Sequence, residues 1–294
     1  MEAVRHVLLL ASVLLSLAQT PVLKPDPPTK CGACDEWNLP LDPFRVYGNT
    51  YYVGTAGLTA VLVTSDDGHI LLDAGLPQSA AVIDANILKL GFRTEDIRLI
   101  VNSHAHFDHA GGIAALQRVS GATVAASDAG ARALRQGAPS PDDPQPNSDR
   151  FGPVKNVKVI ADGETVRVGP LGVTARFTPG HTPGATSWTW QSCEGSRCLN
   201  LVYVDSLSAV SEDGFRFTGR PSLVETFRRS IGVVERLPCD VLLAPHPFAI
   251  GLEAKLAAMK KDETVNPFID AGACRTFAAT QRKAFEARIA SEKP

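Results

Sequence analysis

Apolar and polar positions alternate in short runs through the first third of the chain, the pattern of half-buried strands. Thr50 to Val53, Leu58 to Ser65 and His69 to Asp73 predict three strands, with Asp66-Asp67-Gly68 as a hairpin turn between the last two. From Ala80 the period lengthens: Ala81, Ile83, Ile87 and Leu88 give helical spacing as far as Leu90, and Gly91 stops it. Ile97 to Val101 is an apolar run and predicts a buried strand. A helix over Ile113 to Val119, a strand over Ala122 to Ala126 and a helix over Asp128 to Arg135 follow, with Ser127 as N-cap of the last. Residues 137–153 hold five prolines and predict an irregular loop, disordered or functional at that length. The second half predicts strands over Val157 to Ile160, Thr165 to Val168, Val173 to Phe177, Thr186 to Gln191, Leu199 to Val204 and Val241 to Ala244. Helices are predicted over Ser222 to Leu237 and from Ala271 to near the C-terminus. Strand-rich stretches alternating with helices in both halves point to an α/β fold with two sheets and helices outside them.

The chain has 294 residues, enough for one large domain or two small ones, and shows no obvious internal repeat. Residues 1–18 read as an export signal. Arg5 and His6 give a weakly basic start, Val7 to Leu17 is an apolar stretch of eleven, and Ser16-Leu17-Ala18 places small residues at the cleavage positions. Eleven residues are too few to span a bilayer, which disfavours the alternative of an uncleaved anchor. No Leu-x-small-Cys run precedes Cys31, so no lipoprotein signal is read. The mature chain is expected to begin near Gln19, with an extended, poorly ordered lead-in over 19–40, one main domain over 41–294, and a periplasmic or secreted location. The formal net charge of −2 survives the cut, because the removed piece carries one Glu and one Arg. A near-neutral chain with scattered charge has no footprint for nucleic acid, so a small-molecule substrate is expected. No membrane contact is expected after cleavage, and a monomer is the default.

Six cysteines in an exported chain suggest disulfides, and six allow fifteen pairings. Proximity favours Cys193 with Cys198 across a hairpin. Cys31 and Cys34 could close a tight loop, and Cys239 with Cys274 would then tie a late strand to the last helix. The rival reading of Cys31-Gly32-Ala33-Cys34 is a redox or zinc motif, but it has no second pair and no following helix at the expected spacing.

Chemistry concentrates after the Ile97–Val101 strand. Ser103-His104-Ala105-His106-Phe107-Asp108-His109 sets three histidines and a carboxylate within six positions. Neutral imidazole and carboxylate are preferred ligands of divalent metals, and packing alone rarely crowds them. Of the seven histidines, His6 falls in the signal and His69 stands alone beside a turn, read as a solvated strand end. His181 lies in Thr178-Pro179-Gly180-His181-Thr182-Pro183-Gly184 and His246 in Pro245-His246-Pro247, each after a predicted strand. Strands that end together deliver their loops to one sheet edge. Convergence of His104, His106, His109, His181, His246 and Asp108 would make two three-ligand sites, the metal centre of a hydrolase.

These motifs resemble the metallo-β-lactamase superfamily, and more closely its subclass B3. The superfamily features are Leu71-Leu72-Asp73-Ala74-Gly75, the His104–Gly112 block and Gly180-His181-Thr182-Pro183-Gly184. Asp205-Ser206-Leu207-Ser208-Ala209, and Leu237-Pro238-Cys239-Asp240 with Pro245-His246-Pro247, carry the resemblance to B3. It covers about residues 45–280. It implies an αβ/βα sandwich of four layers: two mixed sheets face to face, with helices on both outer faces. It implies two Zn2+, one held by His104, His106 and His181, the other by Asp108, His109 and His246. His109 supplies the ligand that subclass B1 takes from a cysteine near the position of Ser206. The implied activity is opening of the β-lactam amide in penicillins, cephalosporins or carbapenems by a metal-bound hydroxide, and hence β-lactam resistance. Asp108 would be both ligand and acceptor orienting the hydroxide; Ser206 and Ser208 would hydrogen-bond the substrate carboxylate. The Cys239–Cys274 pair matches B3 members and Cys193–Cys198 recurs in some; Cys31–Cys34 departs from the pattern.

Alternatives remain at this level. Ser206 and Ser208 are i and i+2 and would share a side in a strand-like loop, but they also suit a turn. Phe151 and Trp37 are candidate cleft contacts or simply packing residues. A glyoxalase II-like thioesterase or a lactonase would use nearly the same ligands with Asp205 as a bridging carboxylate, whereas the resemblance to B3 implies that Asp205 lies behind the ligands and touches no metal. A non-catalytic zinc protein would close four ligands on one ion, against three and three here. No Gly-x-Ser-x-Gly elbow is present.

Overall fold

The computed structural model describes residues 22–262 and 264–292; the expected export signal lies outside the described residues. Twelve strands run in chain order: β1 (Phe44–Tyr47), β2 (Thr50–Tyr52), β3 (Val61–Val63), β4 (His69–Leu72), β5 (Ile97–Val101), β6 (Thr123–Ala126), β7 (Val157–Val159), β8 (Thr165–Val168), β9 (Leu171–Phe177), β10 (Thr186–Glu194), β11 (Arg197–Tyr203) and β12 (Val241–Leu243). The first seven form one sheet in sequence order, and the other five form a second in the order β12-β11-β10-β9-β8. Both are mixed: β4 to β7 run parallel, as do β11 and β12, and the remaining pairs are antiparallel. The helices are α1 (Cys34–Trp37), α2 (Ser79–Lys89), α3 (Phe107–Ala110), α4 (Ile113–Ser120), α5 (Asp128–Gln136), α6 (Pro221–Glu235), α7 (Leu252–Lys261) and α8 (Ala273–Ser291).

The period-2 alternation divides strands β3 to β6 of the first sheet between two cores. Val61, Val63, Ile70, Leu72, Leu99 and Val101 share a core with Val173, Ala175, Trp188, Leu201 and Tyr203 of the second sheet. Their neighbours Leu62, Leu71, Ile100 and Val124 face the other way and share a core with Ile83 and Ile87 of α2, Ile113 and Leu116 of α4, and Leu134 of α5. On the far side, Phe227 and Ile231 of α6 and Phe277 and Phe285 of α8 close over the second sheet. The layers are therefore helix, sheet, sheet, helix.

Local signals act as the sequence suggests. Ser127 Oγ accepts from Gly130 N and caps α5, and the Asp66–Gly68 turn joins β3 to β4 with Val63 opposite Ile70. The three cysteine pairs are bonded: Cys31–Cys34 onto the first residue of α1, Cys193–Cys198 across the β10–β11 hairpin, and Cys239–Cys274 between the approach to β12 and α8. The lead-in departs from the loose segment expected. Residues 22–31 carry no helix or strand but are fastened to the body, with Arg118 donating to Asp26 and to Lys24 O, and Thr29 and Gln78 exchanging two hydrogen bonds. The expected strand Leu58–Ser65 shortens to Val61–Val63, because Leu58 closes a turn onto Thr55 and Tyr52.

Candidate metal centre

The six expected ligands arise at the ends of core strands. His104 and His106 lie in the loop that leaves β5, and Asp108 and His109 in α3 just beyond it. His181 lies between β9 and β10, and His246 follows β12. Backbone hydrogen bonds register the three loops. Ala74 N donates to His109 O at 2.9 Å, Thr186 N to Ser103 O at 2.8 Å, and Thr59 N to Pro245 O at 2.8 Å. The His181 loop seats on α5 through a glycine contact. A Cβ on Gly184 would fall 2.3 Å from Gly130 N, so a side chain there would push the loop off the helix.

Beneath these loops lies a buried carboxylate, Asp73, in the left-handed region at φ 55°. It accepts from Asn102 Nδ2 (2.8 Å), Ser103 N (2.7 Å), Ser103 Oγ (2.6 Å) and Tyr203 OH (2.8 Å). Four donors satisfy a charge that could not otherwise be buried. They also fix Asn102 and Ser103, the residues that launch His104. Trp188 Nε1, from the opposite sheet, donates to Asn102 O at 3.0 Å.

The six side chains converge. His104, His106 and His181 can each offer a ligand atom, all within 4.8 Å of one another, and His104, Asp108 and His109 form a second such group. His246 joins the second group through Asp108: its Nε2 is 3.3 Å from Asp108 Oδ2, and His109 Nε2 is 3.2 Å from the same oxygen. The His109 and His246 ring centroids are 4.8 Å apart.

The outward nitrogens show which atoms face inward. His104 Nδ1 donates to Asp205 Oδ1 at 2.8 Å, and His181 Nδ1 donates to Ser208 O at 2.9 Å, because a carboxylate and a carbonyl can only accept. Each ring is left with its lone pair on Nε2. His104 Nε2 is buried without a hydrogen-bond partner, as are His109 Nδ1 and His246 Nδ1. An orphaned lone pair on His104, among imidazoles and a carboxylate, fits a divalent metal with N/O preference.

Charge follows the same division. Burial, the largest effect, together with repulsion from neighbouring imidazoles, holds His104 well below its usual pKa and lowers His181 to about 3. Both are therefore neutral near pH 7, as ligation requires. Burial works against ionisation of Asp108 and His109 too, but their mutual attraction outweighs it, lowering the acid and raising the imidazole. Burial raises Asp205.

Several expected positions differ in detail. Ser206 and Ser208 do not share a side by strand alternation, since Leu207 between them has φ 45°. Ser208 turns to His181, with its carbonyl on Nδ1 and its hydroxyl 3.2 Å from the same nitrogen; Ser206 is half-buried and makes no such contact. Phe151 is buried in the core beneath α4 and α5, not in a cleft, because its backbone pairs with Gly137. Trp37 lies beside the centre, its ring 5.1 Å from His246. His69 is not solvated: it is 6 % exposed and packs edge-on to Phe92, away from the cluster. Sequence reasoning missed Tyr203, and also Asp143, whose Oδ1 is 3.2 Å from His106 Nε2. The sequence offers only an acid within a proline-rich loop as a signal for Asp143.

Comparison with known proteins places this geometry among relatives. The model of the family described as "Metallo-beta-lactamase superfamily" matches residues 54–193. The solved structure of Rm3 metallo-beta-lactamase is 50 % identical, with a TM-score of 0.87, covering 90 % of this chain and 100 % of that one. MEM-A1, a subclass B3 metallo-beta-lactamase from a soil metagenome library, is 47 % identical with a TM-score of 0.84, covering 87 % and 98 %. An N-acyl homoserine lactonase of Bacillus thuringiensis is 28 % identical over 182 residues, which are 54 % of this chain and 68 % of the lactonase.

Proposed function

Since the chain belongs to the metallo-β-lactamase superfamily, we propose that it is an exported zinc-dependent β-lactamase of the B3 type, opening the β-lactam amide and conferring β-lactam resistance. The observation that carries this reading is the placement of Asp205. Its Oδ1 is committed to His104 Nδ1, behind the ligand cluster, while His109 stands beside Asp108 and His246. A thioesterase or lactonase centre would need Asp205 as a bridging ligand. The near-complete coverage of metallo-beta-lactamase structures at 47–50 % identity, one of them of subclass B3, supports the same choice, and the three disulfides support folding in an oxidising compartment.

His104, His106 and His181 would hold one zinc, and Asp108, His109 and His246 a second. Bound zinc supplies a hydrolytic nucleophile at neutral pH and polarises the scissile carbonyl. The protein's own residues prepare the rest. Asp205 and the Ser208 carbonyl hold His104 and His181 as Nδ1–H tautomers, so both Nε2 atoms stay available. Asp108 Oδ2 faces His109 and His246, leaving Oδ1 to accept a hydrogen bond from the attacking water and aim it. Ser206 binds the substrate carboxylate, and Trp37 beside His246 offers an apolar rim for the rest of the substrate. No covalent enzyme intermediate and no serine nucleophile are needed.

The test is hydrolysis of nitrocefin and of a carbapenem by purified protein, with and without a chelator, beside a lactone and a thioester. Chelator-sensitive turnover of the β-lactams is expected. Turnover of lactone or thioester alone would transfer the centre to the other hydrolase class.

A further inference from the structure

We propose that Asp143 is a positioning residue that latches the 137–153 loop to the metal centre through His106, so that metal binding and loop placement are coupled. This deepens the functional reading and rests on His106 as a metal ligand.

All three histidines of the first group have their second ring nitrogen tied. The partners of His104 and His181 are Asp205 and Ser208, which follow directly from core strand β11. The partner of His106 is different in kind. Asp143 sits in an irregular loop, in a stretch with no strand or helix among residues 137–156. Both residues are nonetheless buried, His106 at 4 % and Asp143 at 3 % exposure. A carboxylate only accepts, so His106 donates its Nε2–H and keeps its lone pair on Nδ1. His106 thus presents the opposite nitrogen from His104 and His181, and its ring orientation depends on a residue 37 positions away in the chain.

The loop is built to hold that carboxylate. Asp143 N donates to Ser140 O at 3.0 Å, and Asp143 Oδ1 also accepts from Gln145 N at 2.8 Å. Glu212 N donates to Pro144 O at 3.0 Å, and Asn147 donates twice to the Glu212 carboxylate. The same loop is therefore fastened at one point to His106 and at another to the segment that carries Ser206 and Ser208. Asp143 also lines a small cavity with Thr182 and Gly184 of the His181 loop.

The coupling has a physical cause. A carboxylate gains more from a donor polarised by a nearby cation than from an unpolarised one. A cation on Nδ1 makes Nε2–H a stronger donor and brings positive charge to the far side of the ring, so the bond to Asp143 strengthens. By linkage, the latch raises metal affinity by the same factor as the metal raises latch closure.

The experiment uses the full mature chain as wild type, D143A and D143N. Zinc affinity is measured by competition with a chromophoric chelator. Backbone hydrogen exchange over residues 138–150 is followed with and without zinc, and thermal melts check that each variant folds. Zinc is expected to slow exchange of the loop in the wild type. D143A should bind zinc about 10–100-fold more weakly, and zinc should no longer slow its loop. D143N, whose amide oxygen can still accept Nε2–H, should fall between the two, and it decides the matter if D143A does not fold. Zinc affinity within twofold of wild type in the folded variants, or loop protection that responds to zinc equally in all three, would overturn the latch. A wild type that takes up no zinc would instead overturn the metal centre itself.

Discussion

Tyr203→Phe removes one of the four hydrogen-bond donors of the buried acid Asp73. Tyr203 is fully buried, and its OH donates to Asp73 Oδ2 at 2.8 Å, with Thr59 O at 3.3 Å as a weaker contact. The substitution keeps the ring, opens no cavity of consequence and leaves Asp73 with three of four donors. A hydrogen bond to a charged partner contributes about 1.5–3 kcal/mol, and the stranded carboxylate cannot recruit water in a sealed core. The expected loss is about 2 kcal/mol, or roughly 3–4 °C in Tm for a chain of this size. The assay is thermal and urea unfolding of metal-free protein in EDTA, because bound metal would add its own concentration-dependent stabilisation. Turnover should fall less than stability suggests: Asn102 and Ser103 remain tied to Asp73, so His104 keeps its launch point. An unchanged urea midpoint would refute the reasoning, and would mean that Asp73 is held as a neutral acid for which the tyrosine is an ordinary neighbour.

Three further outcomes are expected. Asp205→Asn removes the charge behind His104 Nδ1, and zinc affinity should drop about 10–100-fold in chelator competition; an affinity equal to wild type would show that the ring is held by packing alone. Ser206→Ala with Ser208→Ala should raise KM for a cephalosporin more than it lowers kcat, and an unchanged KM would remove the substrate-carboxylate role. Glu292 has a pKa of about 2: burial opposes its charge, but hydrogen bonds from Thr218 N and Arg288 outweigh that. Because the folded value lies below the ordinary 4.5, its contribution is complete above that pH and fades as pH falls toward 2. Glu292→Gln should therefore cost about 2–3 kcal/mol at pH 7, with the wild-type and variant urea midpoints converging in acid; a gap constant from pH 7 to pH 3 would assign the loss to packing.

Much of this architecture is legible in the amino-acid sequence. The change of period at Ala80, the capping Ser127 and the apolar run Ile97–Val101 are local signals whose cause lies within a few residues, and each produced the element it implied. The crowding of His104, His106, Asp108 and His109 is legible for the same reason. Elements with little core stripe were not. Helix α7 buries only Leu252, so no apolar period marks it, and β1 is four residues long and half-buried. The partners behind the ligands were harder still. Asp143 meets His106 across 37 residues, and no spacing rule links residues brought together only by tertiary packing; the place of Asp205 behind His104, 101 residues away, is legible only through the family resemblance. The Ser206/Ser208 geometry was missed because alternation presumes extended backbone, and Leu207 leaves it.

The division of the ligands between two sheets bears on how the protein matures. His104, His106, Asp108 and His109 belong to the first half of the chain; His181 and His246 belong to the second. A nascent chain or a proteolytic fragment holding one half can chelate only weakly. Under the proposed assignment each three-ligand site takes its third ligand from the second half, so tight loading would require both halves to have docked, and the ion would act as a rivet driven last.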